Sequence, residues 1–212
     1  IGAPQERQLA QRLLAYPTAI AETMVSYSPN KLANYLFDLA QDPLEIIWSP
    51  VFMRAYGRAF LDASGPLHRG QRSHFFITPP DDDATPEAIA SYMREDNDRM
   101  LRLLCLHEGV PGHYLQLAWS NRASSLTRTV FSNGMFAEGW AVYVEQVMLD
   151  LGYGADDPAL LLTHWKFYLR AVLNAILDHK MHCANMTDEE AMKLLVGRGF
   201  QTEGEAFGKV QR

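Results

Sequence analysis

The stretch Cys105 to Ala118, CLHEGVPGHYLQLA, decides how the rest of the chain is read. His107 and Glu108 begin the pattern H-E-x-x-H, in which two histidines four apart share a helix face and the glutamate handles protons. Here the next histidine is His113, six positions after the first. On an unbroken α-helix that spacing turns the second imidazole about 240° from the first, so the two could not reach one ion. Pro111 and Gly112 stand between them. The proline ring clashes with the carbonyl of His107 and offers no N–H, and Gly112 accepts dihedrals that other residues avoid. A two-residue loop-out would restore the H-E-x-x-H relation in space. The alternative is a helix that simply ends at G-V-P-G, with His107 against the negative end of its dipole.

A catalytic zinc takes three protein ligands and keeps one position open, and a glutamate from a second helix often completes the set. In FAEGWAVYVEQVM, Glu138 and Glu145 lie seven apart and hence on one helix face. The other positions carry Phe136, Trp140, Tyr143, Val144, Val147 and Leu151. A helix this apolar is expected to be buried on most sides, and a buried carboxylate needs a partner. The bland reading is two acids facing solvent on an edge helix.

In YLRAVLNAILDHKMH, the residues Arg170, Asn174, Asp178 and His182 recur every four positions as a slowly turning polar stripe. Asp178 and His182 are i, i+4 neighbours. A carboxylate so placed can hold an imidazole in one tautomer and favour its charged form, which suits an oxyanion-stabilising histidine. An exposed ion pair near a helix end is the competing reading. Cys105 and Cys183 stand close to the proposed histidines, but no C-x-x-C accompanies them, so two reduced, partly buried thiols are expected.

The chain has 212 residues, 48% of them hydrophobic, with a net charge of −6. That is enough to bury one core, and a single domain over residues 1–212 is expected. The acidic balance and the lack of Lys/Arg clusters argue against a nucleic-acid partner. No apolar run approaches the roughly 18 to 20 residues of a bilayer span. Because the first residue is Ile1, the chain is read as a piece of something longer.

The remaining stretches read as helices with clear stops. PQERQLAQRLLAY, PTAIAETMVSY and PNKLANYLFDLAQD each begin with proline and continue with amphipathic spacing. PLEIIWSPVFMRAYGRAFLDASG reads as another helix, interrupted by Pro50 and ended by Gly65. Thr85 and Pro86 open a helix that runs about six turns to Gly109. Further helices are expected up to Gly152, from Asp157 and Pro158 onward, from the Thr187/Glu190 capping box to Gly197, and over TEGEAFGKVQR. One strand is expected, His74 to Thr78, needing a partner from outside this chain. Its free edge would align an extended peptide.

With HEGVPGHYLQL, FAEGWAVYVEQ and LRAVLNAILDHKMH in that order, the chain resembles the bacterial family catalogued as domain of unknown function 885. That family is placed among zincin-like metallopeptidases and carries H-E-x-x-P-G-H, then E-G-W-A-x-Y-x-E, then an arginine followed by D-x-x-x-H. The resemblance runs from about Arg72 to the end, the expected core of the metal site. It implies a mainly α, zincin-like fold with at most a small β element. It implies one zinc ion on His107, His113 and Glu138, with Glu108 as general base. Glu145 and Asp178 would then support ligands and catalytic groups from behind. Arg170 and Tyr143 would bind substrate, and His182 would stabilise the oxyanion. Members are usually more than twice this length.

The function expected from these residues is zinc-dependent hydrolysis of a peptide or peptide-like substrate by metal-activated water. Two alternatives stand beside it: a non-catalytic helical scaffold with a vestigial site, and a metal-dependent hydrolase of non-peptide amides or esters. Two histidines and one carboxylate favour zinc, although manganese, cobalt or iron fit the same set.

Overall fold

The structure is a computed structural model, and it describes residues 44–68, 71–123 and 125–211. The three N-terminal helices expected before residue 43 lie outside the described residues. The fold is mainly helical with a small sheet, divided into two compact units: residues up to Pro79 with Leu104–Gln146, and Pro80–Leu103 with Val147–Arg212.

The first unit is built on three strands, β1 (Leu44–Trp48), β2 (Ala59–Asp62) and β3 (Ser73–Ile77), in the order β1-β3-β2. β3 pairs parallel with β1, Leu44 opposite Ser73, and antiparallel with β2, Asp62 opposite His74. Two expectations are corrected here. β3 has both partners within the chain, and as the central strand it has no free edge to offer a peptide. The segment from Leu44 to Asp62, read as a broken helix, supplies those partners. Ile46, Ile47 and Trp48 favour extended backbone, and Pro50 holds Ser49 extended. A 3₁₀ turn over Val51–Met53 and the bend at Gly57 then return the chain as β2.

Phe75 and Phe76 are buried on opposite sides of β3, and Phe76 stacks on Phe60 of β2 with ring centroids 5.0 Å apart. Each such ring removed from water contributes about 2 to 3 kcal/mol. The strand ends are tied by Thr78, whose hydroxyl donates to the Gly57 carbonyl at 2.6 Å. Onto this sheet packs the helix His113–Ser120, which sets Tyr114 and Ala118 against Leu44 and Leu61.

In the second unit the expected six-turn helix is two helices, α1 (Pro86–Glu95) and α2 (Asp98–Leu104). Asn97 makes the break. Its side-chain oxygen accepts from the backbone N–H of Arg99 and of Met100, capping a new helix where the sequence pattern alone runs on. α2 passes into the first unit, where the His113–Ser120 helix is α3, Leu126–Val130 is α4 and most of α5 (Gly134–Asp150) follows. α5 stops before Gly152, which takes a φ of 95°.

α6 (Pro158–Cys183) begins as expected, with Asp157 accepting from Leu160 N–H. The same carboxylate receives Arg99 at 3.0 Å and Arg102 at 3.3 Å, fixing α2 to the start of α6. α7 (Asp188–Gly199) carries the Thr187/Glu190 capping box but runs two residues past Gly197, ending at Phe200 in the left-handed region. α8 (Glu203–Val210) follows. Leu173 and Leu177 of α6, Ala191 and Leu195 of α7 and Ala206 of α8 form the core of this unit. Both cysteines are exposed, contrary to the partly buried thiols expected.

Candidate metal centre

α2 continues without a stop into a π turn, Cys105–Gly109, closed by the Val110 N–H on the Cys105 carbonyl at 3.2 Å. Val110 is extended and the Val110–Pro111 peptide is cis. α3 then starts at His113, with Gln116 N–H bonded to the Gly112 carbonyl. The helix therefore breaks over Val110–Gly112. Gly112 is squeezed against the turn it follows: a Cβ there would lie 1.8 Å from the His107 carbonyl oxygen and 2.3 Å from that of Leu106. No residue with a side chain fits this path.

The break brings the two imidazoles together, edge to face, with centroids 4.9 Å apart and planes at 86°. Both are buried, and both direct Nε2 toward one Glu138 oxygen of α5, His107 at 3.9 Å and His113 at 3.6 Å. One ligand atom from each of the three lies within 4.8 Å of the others. Tetrahedral zinc with bonds of about 2.0 to 2.1 Å holds its ligand atoms about 3.3 to 3.4 Å apart. The His–carboxylate separations sit just above that value, so the set can close on a zinc-sized ion with small side-chain movement.

Glu145, two turns further along α5, has 1% exposure, and its Oε1 lies 2.5 Å from His107 Nδ1. With the Nδ1 proton donated to that carboxylate, Nε2 keeps its lone pair for an ion. α5 is less enclosed than expected. Ala141, Val144, Glu145 and Met148 are buried, whereas Phe136, Tyr143 and Leu151 are more than half exposed, as is the Glu138 side chain. One acid is buried and one open, so neither simple reading of the pair holds.

Burial raises the Glu108 carboxyl to about 7, with the Glu138 and Glu145 carboxylates adding to the effect. The His107 charge and a hydrogen bond from the Leu61 backbone N–H oppose it. That N–H points away from β3. Thr78 N–H bonds the Arg58 carbonyl, so in antiparallel alternation residues 60 and 62 face β3, and residues 59 and 61 face outward. Burial works against charge on His107, yet Glu145, Glu108 and Glu138 together raise its pKa. Burial and the neighbouring His107 lower that of His113.

Two contacts had no usable signal in the sequence. Trp140 of α5 donates its indole N–H to the Pro111 carbonyl at 2.9 Å. The Leu61 contact was hidden by the misreading of β2 as helix.

The third set of residues belongs to the second unit. Arg170 of α6 is paired with Glu205 of α8. Asp178 and His182 are both exposed, with His182 Nδ1 3.5 Å from the Asp178 carboxylate and 2.8 Å from the Asp178 carbonyl oxygen. Tyr143 lies on α5 in the first unit, its ring 6.1 Å from that of Trp140.

Fold and site together define a mainly helical chain in which two histidines and one glutamate converge. The model of the family described as bacterial protein of unknown function, DUF885, matches residues 3–212, so the match extends well before Arg72; the chain belongs to this family. Two solved structures are similar. One is described as "a putative lipoprotein of unknown function from Shewanella oneidensis"; it is 33% identical with a TM-score of 0.68, over 92% of this chain and 34% of that one. The other, "the putative lipoprotein from Colwellia psychrerythraea", is 20% identical with a TM-score of 0.70, over 96% of this chain and 32% of that one. The chain thus spans about a third of the length of each. No curated protein matches it.

Proposed function

We propose that this chain carries the metal centre of a zincin-like, metal-dependent hydrolase acting on peptide bonds. The observation that carries this reading is the convergence of His107, His113 and Glu138 with the buried Glu145 behind His107. His107 Nε2, His113 Nε2 and a Glu138 oxygen would hold the ion, and zinc suits this donor set best. A bound zinc supplies Lewis-acid polarisation of a carbonyl and lowers the pKa of water.

The rest falls to the chain's own residues. Glu108 adjoins the first ligand, and a cation nearby shifts it toward the carboxylate, the form that accepts a proton from attacking water. The acid so formed returns that proton to the leaving amine. Glu145 holds the His107 ring in one tautomer. The edge for an extended peptide passes from β3 to β2, whose Ala59 N–H and Leu61 C=O face outward beside Glu108. Family resemblance further points to Tyr143, on the same helix as Glu138, for substrate binding.

Metal analysis of the purified protein, followed by a mixed peptide library offered to wild type and Glu108→Gln, tests the reading. Expected are one ion per chain and cleavage that falls at least 100-fold in the variant, at the lower end of what a positioned acid/base contributes. A chain without stoichiometric metal overturns it. Turnover of esters or non-peptide amides alone would keep the metal and replace the substrate.

A further inference from the structure

We infer that Trp140 is the positioning residue of the metal centre, acting through the Pro111 carbonyl rather than through a ligand. This inference rests on the metal-site reading above. The linker Val110–Gly112 decides where His113 sits relative to His107, and two contacts define its path. On one side Gly112 lies against the carbonyls of Leu106 and His107 with no room for a Cβ. On the other, the Pro111 carbonyl accepts the Trp140 indole N–H at 2.9 Å.

That carbonyl has little other use. α3 starts its own ladder one residue later, with Gln116 N–H on the Gly112 oxygen, and no bond from Leu115 to Pro111 accompanies it. Leaving a half-buried carbonyl unpaired carries a desolvation cost, which favours any path of the linker that finds another donor. The indole N–H thus selects the path that places His113. It does so from α5, the helix that also carries Glu138 to both imidazoles and Glu145 to His107 Nδ1. One rigid helix therefore fixes the third ligand, the tautomer of the first and the route to the second.

Cobalt(II) is the probe, read by its visible absorption bands and by a dissociation constant from competition with a chelator. Trp140→Phe keeps an aromatic side chain but removes the N–H together with the five-membered ring that carries it. Affinity is expected to fall about 10-fold or more, the scale seen for groups that orient ligands, with altered band positions. Wild type that binds cobalt alongside a Trp140→Phe variant with the same constant and spectrum overturns the inference and leaves the metal reading standing. Wild type that binds no cobalt overturns both.

A second measurement needs no substitution at Trp140. The chain has four tryptophans, and Trp48, Trp119 and Trp165 are exposed enough to be replaced by phenylalanine one at a time. These variants assign the Trp140 indole N–H signal by elimination. Its exchange with solvent is expected to slow at least tenfold when zinc is added, and an unchanged rate overturns the inference.

Discussion

At the scale of single residues, the site is a set of groups whose protonation depends on neighbours. Glu145 has no exposed surface to speak of, and its Oε1 lies 2.5 Å from His107 Nδ1. Glu145→Gln keeps the shape but removes the charge that favours an Nδ1 proton, so zinc affinity should drop about 10- to 100-fold in a competition titration. Glu108 gives a pH signature in metal-free protein. An unfolded glutamate titrates near 4.5 and the folded Glu108 near 7, so folding favours the protonated form. The stability linked to this group is full below pH 4.5 and is lost as pH rises through 7, by on the order of 3 kcal/mol. Urea midpoints of chelator-treated protein should fall across that window. His107, raised as well, loses stability in the same direction as pH rises, so only the part removed by Glu108→Gln belongs to Glu108.

The residues that converge were legible because their chemistry is rare at such spacing, and Pro111 with Gly112 announced the break between the histidines. Trp140 was not legible as a site residue. A tryptophan in an apolar helix reads as packing, and only the fold reveals that its N–H meets a carbonyl 29 positions away.

Secondary elements show where local pattern fails. Amphipathic spacing carried the reading through Asp96–Asn97 because those residues break no rule of periodicity. The break comes from a side-chain cap on two backbone N–H groups. Asn97→Ala should destabilise the chain by about 1 kcal/mol, seen as a lower denaturant midpoint, whereas Asn97→Asp keeps the cap. The stretch Leu44–Asp62 was misread for the opposite reason. Pro50 reads as an interruption of a helix and Gly65 as its end, although the β-branched and aromatic residues before Pro50 already favour a strand. Gly112→Ala tests the linker. A methyl group 1.8 Å from a carbonyl oxygen forces the path to move, so zinc affinity should collapse while helix content by circular dichroism stays close to wild type. A Gly112→Ala protein with wild-type affinity would show that the linker has a second route.

For the molecule as a whole, the mainly helical class and the small sheet were legible, but the sheet's completeness was not. One strand was visible and its two partners lay in a segment assigned to another class. Long-range register has no local signature. Ligand binding to the folded form alone should raise its stability by about 2.7 kcal/mol when free zinc is 100 times its dissociation constant. For a chain of this size that is a rise of about 5 to 10 °C in the thermal midpoint. A scan that is the same with zinc and with chelator would count against the metal centre.

The contact between His107 and Glu145 spans 38 positions of sequence. Both histidines therefore leave the ribosome well before Glu138 and Glu145, the carboxylates they meet in the fold. During synthesis the H-E-x-x-P-G-H segment is a pair of imidazoles without their carboxylate partners. The cluster is therefore assembled only once α5 has emerged and docked, after translation of this region rather than during it.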